Sequence, residues 1–221
     1  MHLPRPIEAV ILDMDGTLHD TETVYHRALM SAVAAVGFTV SESFCHGLIG
    51  IPGKETDQML KEHLGPAFPF DEYDRLYDAH CEALLAEGIR LKPGALELLD
   101  HLDACRIPRA VATSASRRAA RLHLGRSGLA VRFAIVVTRD DVARGKPHPD
   151  PFLEAATRLR VSPADCLAVE DSFNGIRAAA AAGMMPVMVP DRLTPSTEME
   201  ALCVGIARDL HEVLRLIGGR R

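Results

Sequence analysis

Acidic, hydroxyl and lysine side chains fall at the carboxyl ends of short apolar runs in this 221-residue chain. Asp13, Asp15 and Thr17 follow the run at 7–12. Thr113 and Ser114 follow the run at 110–112, and Glu170 and Asp171 follow the run at 166–169. Lys146 lies beyond a further run at 133–137, where a helical pattern opens. Carboxylates suit a hard cation such as Mg²⁺, which takes oxygen ligands and shares them with phosphate and water. A lysine ammonium and hydroxyl or backbone N–H donors suit a phosphoryl group, whose charge in transfer spreads over three equatorial oxygens. A carboxylate can also attack phosphorus and form an aspartyl-phosphate. The set points to phosphoryl transfer with a cation bound.

These residues need elements to hold them. The runs at 7–12, 110–112, 133–137, 166–169 and 186–189 are rich in Val and Ile and do not alternate; a weaker one lies at 204–207. That pattern belongs to strands buried on both faces of a parallel sheet. Helical patterns separate them at 94–104, 116–127, 152–160 and 174–182. The third opens on Asp150-Pro151, an N-cap followed by proline in the first turn, and the fourth stops at Gly183. The alternation predicts an α/β fold with a doubly wound parallel sheet, in which ligands bind beyond the carboxyl ends of the strands.

Residues 20–92 break the pattern. Their apolar residues recur at helical spacing: Val24, Ala28, Met30, Val33 and Val36, then Met59, Leu60 and Leu64, then Leu76, Ala83 and Leu84. A turn is expected at 65–69, where Gly65, Pro66 and Pro69 gather. This is read as an inserted all-helical domain at 20–92, set into a core formed by 1–19 and 93–221.

Composition narrows the function. A formal net charge of −5 argues against a nucleic-acid partner. Arg117, Arg118, Arg121 and Arg126 read as a solvated helix face. Five scattered cysteines form no CxxC or CxH pair and fit a reducing compartment. The first apolar run is too short for a signal peptide or a membrane span, so a cytoplasmic protein with no membrane partner is expected. No HxH or HExxH occurs, and His19, His26 and His148 read as surface or packing residues. Residues 47–54 nearly match a phosphate-binding loop, but Glu55 stands where Ser or Thr is required and no buried strand precedes them. Nucleotide binding there is rejected, although Lys54 could still reach a substrate.

Four stretches carry a family resemblance. Asp13-Met14-Asp15-Gly16-Thr17-Leu18 resembles the DxDGT motif of the haloacid-dehalogenase superfamily. Ala112-Thr113-Ser114 resembles its second motif. The run from Gly145-Lys146-Pro147 to Phe152 resembles its lysine motif, and that from Val169-Glu170-Asp171 to Ile176 its acidic motif. All four stand in family order, and the insert resembles the helical C1 cap of the β-phosphoglucomutase-like branch.

The resemblance implies a Mg²⁺-dependent phosphatase acting on a small phosphorylated metabolite. Asp13 would be nucleophile and metal ligand. Asp15 would be general acid and then base, with its backbone carbonyl on the metal. Asp171 would be the third protein ligand, with Glu170 an outer or alternate one. Ser114 and the Ala115 N–H would bind phosphate, Thr113 would be a weaker candidate, and Lys146 would neutralise Asp13 and a phosphate oxygen. Thr17 would support the loop.

A sugar-phosphate mutase is the alternative. There a cap histidine is expected about ten residues after the second Asp; Tyr25 stands at that place, with His26 one residue later. A phospho-accepting signalling receiver is more distant, being about half this length and capless. The substrate stays open, as do the directions of Glu22, Tyr25, His26, Lys54 and Arg75. The oligomeric state is also open, with a monomer allowed.

Overall fold

The computed structural model describes residues 3–48, 51 and 53–219, with the backbone alone for His46, Gly53 and Lys54. The chain divides into two compact units, Met1–Asp20 with Arg90–Arg221 and Thr21–Ile89.

The first unit is built on a six-stranded parallel sheet of order β3-β2-β1-β4-β5-β6. Its strands are β1 (Ala9–Leu12), β2 (Arg109–Ala112), β3 (Val136–Val137), β4 (Cys166–Glu170), β5 (Met185–Met188) and β6 (Gly205–Ile206). The first strand in the chain is therefore central. Alternate residues serve opposite faces, as the strand period of two requires. Val10, Leu12, Val111, Leu167 and Val169 join one buried cluster with Leu98, Leu99 and Leu102 of α5 (Ala95–Ala104) and Leu210 and Val213 of α10 (Leu210–Gly218). Ala9, Ile11, Ala110, Ala112 and Ala168 join the other, with Phe152 and Ala155 of α7 (Asp150–Leu159) and Ala178 and Ala179 of α8 (Phe173–Ala181). The second face is mostly alanine on sheet and helices alike, so these helices can pack close.

Some boundaries differ from the sequence reading. The third strand is only Val136–Val137, because a 3-10 turn at Ala130–Arg132 precedes it and Phe133 turns into the first cluster instead. Helix α7 starts at Asp150, with Pro149 at the cap. Asp150 does not cap because its two carboxylate oxygens receive Arg144 Nε and Nη2, at 3.2 and 2.9 Å. Asp20 and residues 90–92, assigned to the insert by the sequence pattern, lie with the first unit. There the Asp20 N–H donates to the Arg90 carbonyl and the Lys92 N–H to the Leu18 carbonyl, both at 2.9 Å.

The second unit is helical: α1 (Glu22–Ala35), α2 (Glu42–Gly47), α3 (Gly53–Leu64) and α4 (Phe70–Ala86). It owns a core of Leu29, Ala32, Val33, Cys45, Leu48, Leu60, Phe68 and Tyr73. Phe68, in the turn between α3 and α4, anchors it, with ring centroids 5.2 Å from both Phe38 and Tyr73. No described helix is long and apolar enough to cross a membrane.

Leu98 on α5 is fully buried. Leu98→Ala should cost about 2–5 kcal/mol, the transfer energy of the lost atoms plus the cavity left behind. Urea denaturation should show a lower midpoint at unchanged slope.

Candidate active site

Three strand ends meet at one ammonium. Leu12 pairs with Val111 on one side and Val169 on the other, which brings Asp13, Ala112 and Glu170 level with one another. Lys146 reaches into this place with its side chain almost fully buried. Its Nζ donates to Asp13 Oδ1 at 2.5 Å, Glu170 Oε1 at 2.5 Å and the Ala112 carbonyl at 2.8 Å. An ammonium has three donors, and all are used. The Phe152 ring lies 5.2 Å from Nζ and closes the apolar side.

Glu170 is fully buried, and its second oxygen accepts from the Ser172 N–H and hydroxyl, both at 2.9 Å. Ser172 Oγ in turn caps α8 by accepting from the Gly175 N–H at 3.0 Å. A Cβ on Gly175 would run into the Glu170 carboxylate, so this position needs glycine. Asp171 accepts at Oδ1 from the Thr17 hydroxyl at 3.1 Å, the loop-supporting role expected of Thr17. Gly16 has φ +86, and a Cβ there would meet the Asp171 carboxylate. Only glycine satisfies both the backbone and the space.

Ligand-capable oxygens of Asp13, Glu170 and Asp171 lie within 4.8 Å of one another. Burial raises the Asp13 carboxyl well above the usual range; Lys146 opposes this, and Glu170 and Asp15 add to it. Burial likewise raises Asp171, with help from Glu170 and Asp13, against Thr17 and Lys146. Burial alone would depress Lys146, but the Asp13 and Glu170 charges outweigh it and hold the ammonium charged. With all groups ionised, three carboxylates face one ammonium. A hard divalent cation fits this surplus of buried anionic oxygen. Asp13 and Asp171 are the oxygen donors best placed to take it, since both Glu170 oxygens already accept hydrogen bonds.

The remaining expected residues stand around this centre. Ser114 is exposed beyond the end of β2, and Thr113 is buried. The Ala115 N–H, expected to point at phosphate, donates instead to Thr113 Oγ1 at 3.1 Å. Asp15 belongs to a different group: its Oδ1 lies 3.1 Å from Nδ1 of His123, a buried residue on α6 (Arg117–Arg126). His19 is buried too, which fits the packing half of the surface-or-packing expectation, and its Nε2 lies 2.9 Å from Ser127 Oγ. Burial lowers His19 to about 4, so the ring is neutral at neutral pH.

His123 was not singled out from the sequence. Its one signal is polar character at a helix position flanked by apolar Leu122 and Leu124, which does not by itself name a partner. Within the second unit, His26 Nε2 lies 2.9 Å from Glu42 Oε2, and Arg75 makes a long 3.9 Å pair with Glu72. Ile49, Gly50, Pro52 and the Lys54 side chain lie outside the described residues.

A sheet with these carboxylates and a buried lysine at its strand ends defines a phosphotransfer-type α/β site. The family model for haloacid dehalogenase-like hydrolases matches residues 7–183, and the chain belongs to that family. It is 33% identical over 178 residues to the phosphorylated carbohydrates phosphatase of Thermotoga maritima, covering 80% of this chain and 82% of the relative. It is 35% identical over 182 residues to hexitol phosphatase A of Escherichia coli, covering 81% of each. The structure of CbbY from Rhodobacter sphaeroides in complex with xylulose-(1,5)bisphosphate superposes with a TM-score of 0.77 at 30% identity, covering 93% of this chain and 96% of that one.

The raised carboxyls carry a sign. Both favour their protonated forms in the fold, so the metal-free protein should lose stability as pH rises from the ordinary carboxylate pKa, near 4, through the raised values. Asp171→Asn removes one of these crowded, half-buried charges and keeps the acceptor for Thr17. It should raise the metal-free Tm at neutral pH by about 2–4 °C, roughly 1 kcal/mol at this size. The same variant should lose the Tm increase that a divalent cation gives the wild type. A lower metal-free Tm, or an unchanged response to the cation, would contradict this assignment.

Proposed function

We propose that this chain hydrolyses a small phosphate monoester through an aspartyl-phosphate on Asp13, with Mg²⁺ as the bound cation. The observation that carries the reading is the buried Lys146, bonded at once to Asp13 and Glu170 beneath the strand ends. A lysine so placed opposes the protonation that burial favours at Asp13 and holds one of its oxygens, and a bound cation beside it would favour the ionised, attacking form. The ester's phosphorus accepts an electron pair from an Asp13 oxygen while its bond to the alcohol oxygen breaks. The Asp15 carboxyl gives its proton to the departing oxygen. It then takes one from the water that attacks the phosphoryl group, which releases phosphate and restores Asp13. Ser114, with the Ala115 N–H once it turns from Thr113, provides donors for the equatorial oxygens.

Asp13, Asp171 and the Asp15 backbone carbonyl would hold Mg²⁺, with Glu170 in an outer position. When bound, Mg²⁺ supplies positive charge that offsets the crowding of phosphate and carboxylate oxygens. The relatives named for phosphorylated carbohydrates and a hexitol phosphate support a polyol or sugar phosphate as the substrate class. A mutase has less support, because Tyr25 stands at the position of the expected cap histidine and His26 is paired with Glu42.

Phosphate release should be measured over a panel of sugar, polyol and nucleoside monophosphates, with Mg²⁺ and with chelator. Release should need Mg²⁺ and should fall on the order of 10³-fold or more in Asp13→Asn, with the fold unchanged by circular dichroism. Asp15→Asn should stall at or before the aspartyl-phosphate, which acid-quench mass spectrometry of Asp13 would detect. Full activity in Asp13→Asn would end the nucleophile assignment. Isomerisation of glucose 1-phosphate without net release would favour the mutase.

A further inference from the structure

Asp15 stands apart from the buried carboxylates. Its ligand-capable atoms group with those of His19 and His123, all within 4.8 Å, whereas Asp13 groups with Glu170 and Asp171. In-line transfer calls for such a separation. The attacking and departing oxygens lie on opposite sides of phosphorus, so an acid for the departing oxygen belongs away from the nucleophile. A surface-loop carboxyl would sample many rotamers unless something held it.

His123 lies in the last turn of α6, the helix that Ser116 caps just after Ser114. Its ring is buried, and its Nδ1 is 3.1 Å from Asp15 Oδ1. The ring is braced from behind. His19 packs edge-on against it, with centroids 6.4 Å apart and an interplanar angle of 71°. His19 is tied by Nε2 to Ser127 Oγ at 2.9 Å. Ser127 Oγ also lies 3.2 Å from the Leu124 carbonyl, which ties this contact to the end of the same helix. One helix thus follows the proposed phosphate donors at its start and holds the acid–base residue from its last turn.

We propose that His123 is a positioning residue for the acid–base step, its Nδ1–H holding the Asp15 carboxyl where the departing oxygen arrives. This rests on the phosphatase reading. His123 touches no substrate; it acts through Asp15, and His19 with Ser127 fixes its ring.

The test separates positioning from packing. An alkoxide needs the proton that Asp15 delivers, whereas p-nitrophenolate departs without one. The full-length protein with Mg²⁺ is assayed for kcat/KM on glycerol 2-phosphate and on p-nitrophenyl phosphate, which reports the first phosphoryl transfer. His123→Ala should lower kcat/KM on the alkyl ester about 10- to 100-fold. It should change the aryl ester by less than about threefold. His123→Asn, whose amide nitrogen takes the place of Nδ1, should keep most of the alkyl activity; His123→Gln, whose nitrogen lies farther out, should not. If the alanine variant fails to fold, the asparagine and glutamine pair decides. Equal losses on both esters, no loss on either, or no difference between asparagine and glutamine would overturn the proposal. No release by the wild type from either ester would overturn the phosphatase reading and the proposal with it, whereas normal wild-type release with an unchanged ester ratio overturns the proposal alone.

Discussion

One buried ammonium constrains the rest of the first unit. Removing a lysine charge from water costs several kcal/mol, and only close anions with good geometry recover it. Lys146 has three acceptors, and each comes from the end of a different strand: Ala112 from β2, Asp13 from β1 and Glu170 from β4. That demand is met only if β1 lies between β2 and β4 in this register. The sheet order and the site chemistry are therefore one constraint. A slip of one residue in either pairing would misplace one of these acceptors and leave the ammonium short of a partner.

The same economy explains the glycines. Gly16 and Gly175 stand where a methyl group would strike the Asp171 and Glu170 carboxylates. The acidic loop and the first loop are packed backbone against side chain, which keeps the carboxylates close despite their repulsion. Burial and mutual charge raise Asp13 and Asp171, so this cluster of carboxylates is suited to a cation. Glu170 differs from its neighbour: with Lys146 on one oxygen and Ser172 on the other, it works as the lysine's counter-ion and as the brace for the start of α8.

Membership of the haloacid dehalogenase-like hydrolases gives this architecture a chemical context. The sheet and its strand-end residues can be understood for the first unit by itself. The second unit has its own aromatic and aliphatic core and is a separate packing solution.

Much of this was legible in the chain alone. The buried runs marked five of the strands because strands covered on both faces cannot alternate in polarity. The candidate residues Asp13, Asp15, Glu170 and Asp171 stood out because each follows such a run, and Lys146 because it lies just before a helical pattern. Helix ends were less legible: Asp150 looks like a cap, but Arg144 occupies its carboxylate, a competition that composition does not reveal. The pairings that matter most lie far apart in sequence. Sequence determined which groups stand at the strand ends, since backbone direction and side-chain period are local. Only the tertiary structure decided that Glu170 faces Lys146, that the Ala115 N–H turns to Thr113, and that His123 and His19 meet Asp15. Those choices depend on where separate helices and loops come to rest, and no local periodicity encodes that.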